Sequence, residues 1–128
     1  MSSSSDTSEI VLKASLALSV IASQAARVPT LIFDEVDSGV GGAVAEVVGQ
    51  LLKSLGTQHQ VLCVTHLPQV AAYGHHHYRV SKKVVQNTTK SKIELLATAD
   101  RVDEVARMLG GLEITDTTIR HAKEMLAR

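Results

Sequence analysis

Aromatic side chains are nearly absent. Phe33, Tyr73 and Tyr78 are all there are, and tryptophan is missing altogether. That leaves little with which to stack bases or line an aromatic pocket. Net charge is missing too. Thirteen basic and thirteen acidic residues cancel, so no overall positive field gathers nucleic acid around the molecule. The single cysteine, Cys63, has no partner for an internal disulfide. This fits a reducing, cytoplasmic setting, and its place inside an apolar run predicts a buried, inert thiol. No apolar run approaches the roughly 20 residues needed to cross a membrane. Residues 16 to 22 have the apolarity of a signal-peptide core, but Asp6 and Glu9 precede it where a targeting segment carries positive charge. The phosphate-cradling pattern G-x-x-x-x-G-K-[ST] occurs nowhere.

What remains is a folding chain, 128 residues long and 45% hydrophobic, enough for one domain with a real core but not for two. Residues 1 to 6 read as a serine-rich tail, and residues 7 to 128 as one lobe. Asp6 followed by Glu9 resembles a capping box. The helix it opens, residues 10 to 26, is apolar on almost every side and calls for cover all round. Pro29 ends it. Leu31, Ile32 and Phe33 then read as a strand buried on both faces, as in a parallel sheet sandwiched by helices. Val44, Val47, Val48, Leu51, Leu52 and Leu55 keep helical spacing up to Gly56, and residues 60 to 65 form a second apolar strand. Strand, helix and strand with short links predict a right-handed βαβ unit. Pro68 opens a short helix to Tyr73. The period then changes to two, predicting a hairpin of residues 76–85 and 92–97 with a polar turn over 86–91. Two helices close the chain, one marked by Val102, Val105, Ala106 and Leu109. The other is marked by Ile119, Ala122 and Leu126, with Thr115 or Asp116 as its cap.

The chemistry concentrates at the ends of the two strands. In T-L-I-F-D-E-V-D-S-G-V-G-G (30–42) the first strand runs into Asp34, Glu35 and Asp37, and then into Gly39, Gly41 and Gly42. Carboxylates at the carboxyl end of a parallel strand lie where open α/β sheets bind ligands. Two readings fit: a Walker B strand, whose acids manage Mg²⁺ and an attacking water, or an ordinary strand with an acidic exit loop. His66 ends the second strand as the acids end the first. It could reach a nucleotide's terminal phosphate, or simply cap the helix that follows. His75 and His77 share one strand face, but two ligands do not make a zinc site.

Three segments together resemble the RecN family of bacterial DNA-repair ATPases, relatives of the SMC proteins. They are L-I-F-D-E-V-D-S-G-V-G-G (31–42), V-T-H-L-P-Q-V-A (64–71) and G-H-H-H-Y-R-V-S-K (74–82), and A-R-M-L-G-G-L-E-I-T (106–115) adds to them. The resemblance implies the C-terminal lobe of an ABC-type ATPase head: a parallel βαβ core, a hairpin and two closing helices. It implies that Asp34 holds Mg²⁺ through water and that Glu35 is the general base for the attacking water. Asp37, Ser38, Gly39 and Gly41 would belong to the D-loop that crosses to a second head, and His66 would touch the γ-phosphate of ATP. The implied cofactors are ATP and Mg²⁺. The implied partners are an N-terminal ATPase lobe, a second head in a homodimer, and DNA, with hydrolysis coupled to double-strand-break repair in the cytoplasm, at the nucleoid. The departure is at the front, where Thr7-Ser8-Glu9-Ile10 stands in place of an S-G-G-E-type signature and lacks both glycines. Without a P-loop, the chain alone is expected to be inactive. The alternative is a non-enzymatic interaction or dimerisation module that kept the fold of an ATPase lobe.

Overall fold

The computed structural model describes Ala17 and residues 28–34 and 39–128. Apart from Ala17, which is helical, the expected helix over 10–26, its capping box, the tail before it and the Thr7-Ser8-Glu9-Ile10 segment lie outside the described residues. The chain divides into two compact units, Met1–Tyr73 and Gly74–Arg128.

The first unit is the expected βαβ arrangement. Strand β1 (Thr30–Asp34) is followed by helix α1 (Gly42–Leu55), strand β2 (Gln60–Val64) and the short helix α2 (Pro68–Ala71). β1 and β2 pair in parallel, with Thr30 opposite Gln60 and Asp34 opposite Val64. The far end of the pair is pinned by Gln60 N–H donating to the Pro29 carbonyl (2.8 Å) and by His59 Nδ1 lying 2.8 Å from the Val28 carbonyl. Phe33, Val44, Ala45, Val48, Leu52 and Val70 form the buried cluster, with Leu31, Leu51, Leu55, Val61 and Cys63 packed on its flank. The apolar spacing of α1 therefore does what it predicts. Gly56 ends the helix in an ordinary right-handed conformation (φ −65°), its N–H donating back to Leu52.

The strands are covered on one side only. Phe33 is buried, whereas Ile32 is 71% exposed, Leu62 45% and Val64 61%. The expectation of burial on both faces does not hold among the described residues. α1 packs on one face of the two-stranded sheet, and a continuous apolar run cannot tell which of its alternating side chains will find that cover.

In the second unit, β3 (Tyr78–Val85) and β4 (Thr88–Leu95) form an antiparallel hairpin, followed by α3 (Thr98–Gly110) and α4 (Asp116–Leu126). The hairpin is tighter than the polar run suggests. Its turn is Gln86-Asn87 alone, both at positive φ (50° and 61°), as a type I′ turn requires. Thr88 to Ser91 instead join the ladder, opposite Val85 to Lys82. The two helices bury Val105, Ala106, Ala122 and Met125. Gly111 takes φ +67° past the end of α3, a conformation that favours glycine, and Thr115 caps α4 by accepting from the Thr118 N–H at 3.2 Å.

Candidate functional site

The parallel register puts the ends of both strands at the same edge of the sheet. Asp34, the last residue of β1, is exposed, lies opposite Val64 and makes no ion pair with any described residue. His66 follows two residues after Val64 and is also exposed. α1 starts near this edge as well, since Gly42 lies beside Gln69, three residues after His66. Its first turn has no side-chain cap: Gly41 stands at the N-cap, with its carbonyl accepting from Ala45 N–H at 2.8 Å. Backbone N–H groups at such an end favour negative charge. Gly39, in the turn, has φ +75° and open space where a Cβ would lie. Asp34, Gly39, Gly41 and His66 are thus carried by elements that meet at one edge. Glu35, Asp37 and Ser38, the other residues expected here, lie outside the described residues.

Three residues shape or line this edge: Pro68, expected as a helix opener, and Thr65 and Gln69, to which the sequence reading gave no role. Thr65 Oγ1 accepts from the Leu67 N–H at 3.0 Å, bracketing His66 in a short turn and fixing the exit from β2. Pro68 follows at the first position of α2, whose N-cap Leu67 is extended. Gln69 then lies beside the start of α1: a methyl group on Gly42 would come within 3.5 Å of its Nε2. A threonine two residues before the N-cap of a Pro-initiated helix is a signal that sequence could have given. The place of Gln69 carries none.

α1 and α2 are locked together. Gly49 is buried against Tyr73 and the Gln69 carbonyl. The Tyr73 hydroxyl donates to Glu46 Oε1 and accepts from Gln50 Nε2, each at 3.2 Å. The segment that carries His66 is therefore held against the helix that follows the acids.

The histidine run of the second unit sits elsewhere. His75, His76 and His77 border a cavity of about 310 Å³ with Thr98, Arg101 and Leu126. Arg101 donates to the Gly74 carbonyl. Burial, with the nearby Arg101 cation, pulls the His77 imidazole below its ordinary value. Glu104, only 5% exposed, takes three hydrogen bonds from Arg107, and Arg79 approaches it to 3.8 Å. The Arg107 guanidinium holds its carboxyl below the usual carboxylate range. Among the described residues no three His, Cys, Asp or Glu side chains are placed to hold a metal ion, and no helix is long and apolar enough to cross a membrane.

No protein-family model matches the chain. Curated proteins do. The chain is 55% identical over 114 residues to the DNA repair protein RecN of Xylella fastidiosa (strain 9a5c), a match covering 89% of this chain and 20% of that protein. It is 54% identical over 112 residues to the DNA repair protein RecN of Haemophilus influenzae (88% and 20%). Against the protein of that name from Bacillus subtilis (strain 168) it is 42% identical over 111 residues (87% and 19%). A solved structure described as "Structural biochemistry of ATP-driven dimerization and DNA stimulated activation of SMC ATPases" has a TM-score of 0.64 to this one at 16% identity, over 88% of this chain and 65% of that chain. That likeness gives the fold, a lobe of an ABC-type ATPase head. Over nearly nine-tenths of its own length the chain is thus similar to RecN proteins, and it spans about a fifth of the length of those it matches.

Proposed function

We propose that this chain is the catalytic-acid half of a RecN-type ATPase head, in which ATP hydrolysis between two heads serves DNA double-strand-break repair. One observation carries the reading: parallel pairing puts Asp34 at the end of β1 and the strand exit leading to His66 at the same edge of the sheet. On this reading Asp34 is the Walker B aspartate, Glu35 the general base, His66 the group that meets the terminal phosphate, and residues 37 to 41 the loop facing a second head.

The residues fit the implied cation. Mg²⁺ keeps most of its waters and takes one or two carboxylates together with substrate phosphates, rather than a cage of protein ligands. Asp34 is an exposed carboxylate without an ion pair among the described residues, and none of these residues crowd into a three-ligand site. When bound, Mg²⁺ neutralises charge on the phosphates. Asp34 would orient its waters, Glu35 would take the proton of the attacking water, and His66 would donate to the terminal phosphate. Phosphoryl transfer of this kind is mostly positioning and charge stabilisation. The chain's own sequence has no P-loop, so the phosphate cradle must come from elsewhere in the full-length protein and the isolated chain is inactive. The alternative, a docking module with no part in catalysis, draws on the exposed apolar face of Ile32, Leu62 and Val64.

The test is Glu35→Gln in a full-length RecN carrying this segment. ATP binding should persist while turnover falls by about 10²–10⁴-fold, the usual contribution of a general base, and ATP-bound dimers should accumulate. Turnover within threefold of wild type would remove Glu35 from that role. For the isolated chain, titration with Mg-ATP should show no binding. Micromolar binding at one site per chain would mean that the cradle is not needed.

A further inference from the structure

The hairpin of the second unit sorts its side chains by chemistry. Tyr78, Val80, Val84, Ile93 and Leu95 share one face and are 55–70% exposed. The opposite face carries Arg79, Lys83, Lys90 and Lys92. At the base of the hairpin its charge is compensated, because Glu94 pairs with Arg79 at 2.9 Å and with Lys92 at 2.5 Å. Toward the turn no ion pair compensates it among the described residues. Residues 47 to 93 contain no Asp or Glu at all, and Lys82 lies on the opposite, apolar face. Lys83 also faces Lys90 directly across the ladder. Like charges in directly opposed positions destabilise an antiparallel pair. A polyanion lying across the pair would relieve that repulsion.

We propose that Lys83 and Lys90, near the tip of this hairpin, contact the phosphate backbone of duplex DNA. The proposal rests on the reading of the chain as part of a DNA-repair ATPase and assigns that reading a surface. The contact is to phosphate rather than to bases. Lysine ammonium groups are point charges without the fork that reads a base edge, and no aromatic side chain shares their face for stacking. The apolar face points the same way. Whatever part of the protein covers Tyr78, Val80 and Ile93 leaves the lysine face turned to solvent.

The experiment uses a full-length RecN carrying this segment, as wild type and as Lys83→Gln/Lys90→Gln, titrated with a fluorescent DNA duplex across a salt series. The slope of log affinity against log salt should fall by about 0.9 for each lysine removed, and binding near 0.1 M salt should weaken by about tenfold or more. The melting temperature should stay level or rise, since a repulsive pair has gone. The charge-preserving Lys83→Arg/Lys90→Arg variant should bind as wild type. An unchanged slope and affinity in the Gln variant would overturn the assignment, and so would equal loss in the Arg variant. Wild-type protein that binds polyglutamate in place of the duplex would make the surface a dock for an acidic protein and overturn it too. If wild type binds neither, the DNA-repair reading itself falls, and the assignment with it.

Discussion

Replacing Gly49 by alanine sets two magnitudes against each other. Alanine in a helix interior is favoured over glycine by about 1 kcal/mol, so on propensity alone Gly49→Ala should stabilise α1. The packing opposes this. The new Cβ would lie 2.5 Å from Tyr73 Cδ2, 3.3 Å from Cε2 and 3.0 Å from the Gln69 carbonyl oxygen. The ring cannot swing aside freely, because its hydroxyl is bonded to both Glu46 and Gln50. The carbonyl belongs to the backbone of α2 and can retreat only with the helix. Overpacking a close contact costs about 1–3 kcal/mol, so after the propensity gain the net loss is up to about 2 kcal/mol. Urea unfolding followed by far-ultraviolet circular dichroism measures it, as a lower midpoint with an unchanged slope. The displacement should also be felt at the site, since α2 starts two residues after His66. In a full-length RecN carrying this segment the substitution should therefore slow ATP turnover. A midpoint that rises would refute the reasoning, because it would show α1 and α2 far enough apart for propensity to win.

Two further outcomes follow from other parts of the chain. The second unit should lose stability in two steps on acidification. His77 is held below its ordinary 6.5, so below that pH the unfolded state takes up a proton that the folded state resists; Glu104 is held below its ordinary 4.5, so the stability it gives is complete above that value and is lost as pH falls through its lower folded value. Unfolding midpoints across pH should show both steps, with Glu104→Gln shrinking the lower one, to which Glu94, held down by Lys92 and Arg79, also contributes, and costing about 1–3 kcal/mol at neutral pH; a pH-independent midpoint would contradict the assignment. The isolated chain should self-associate through the apolar face of Ile32, Leu62 and Val64 and the open edges of its two-stranded sheet. Light scattering at micromolar concentration checks it, and a clean monomer of 13.7 kDa would count against it.

How far the fold could be read in the sequence depended on whether the decisive contact was local. The spacing of Val44, Val48, Leu52 and their neighbours specifies one helix face, and that face is the one buried. The cap at Thr115 was legible for the same reason, since a hydroxyl three residues from an open N–H is a local event. The hairpin turn was not. Six polar residues read as a loop, yet Thr88 to Ser91 are strand. The two residues at positive φ include a glutamine, which has no special tolerance for that conformation and so gives no signal. The one-sided cover of β1 and β2, and the contact that demands glycine at position 49, both depend on what arrives from elsewhere in the chain. The candidate site was legible as chemistry, acids after one strand and histidine after the next. That Asp34 and His66 leave the sheet at one edge required the register, which only the structure supplies.

The apolar faces left open in the two units bear on the proposed mechanism. A two-stranded sheet is marginal by itself, and each described sheet has one apolar face in contact with solvent. In a head assembled from distant parts of one protein, these are the faces along which the remaining structure would pack. On the proposed reading the catalytic groups would be divided in the same way: the acids and the histidine lie in this sequence, while a glycine-rich cradle with its lysine does not. Because phosphoryl transfer needs all of these at fixed distances and little covalent chemistry from any one of them, such a division makes turnover conditional on assembly. An acid half without its cradle can hold no nucleotide to hydrolyse, and a cradle without Glu35 would bind ATP and keep it. On this reading the apolar packing that completes the fold is also what switches the chemistry on.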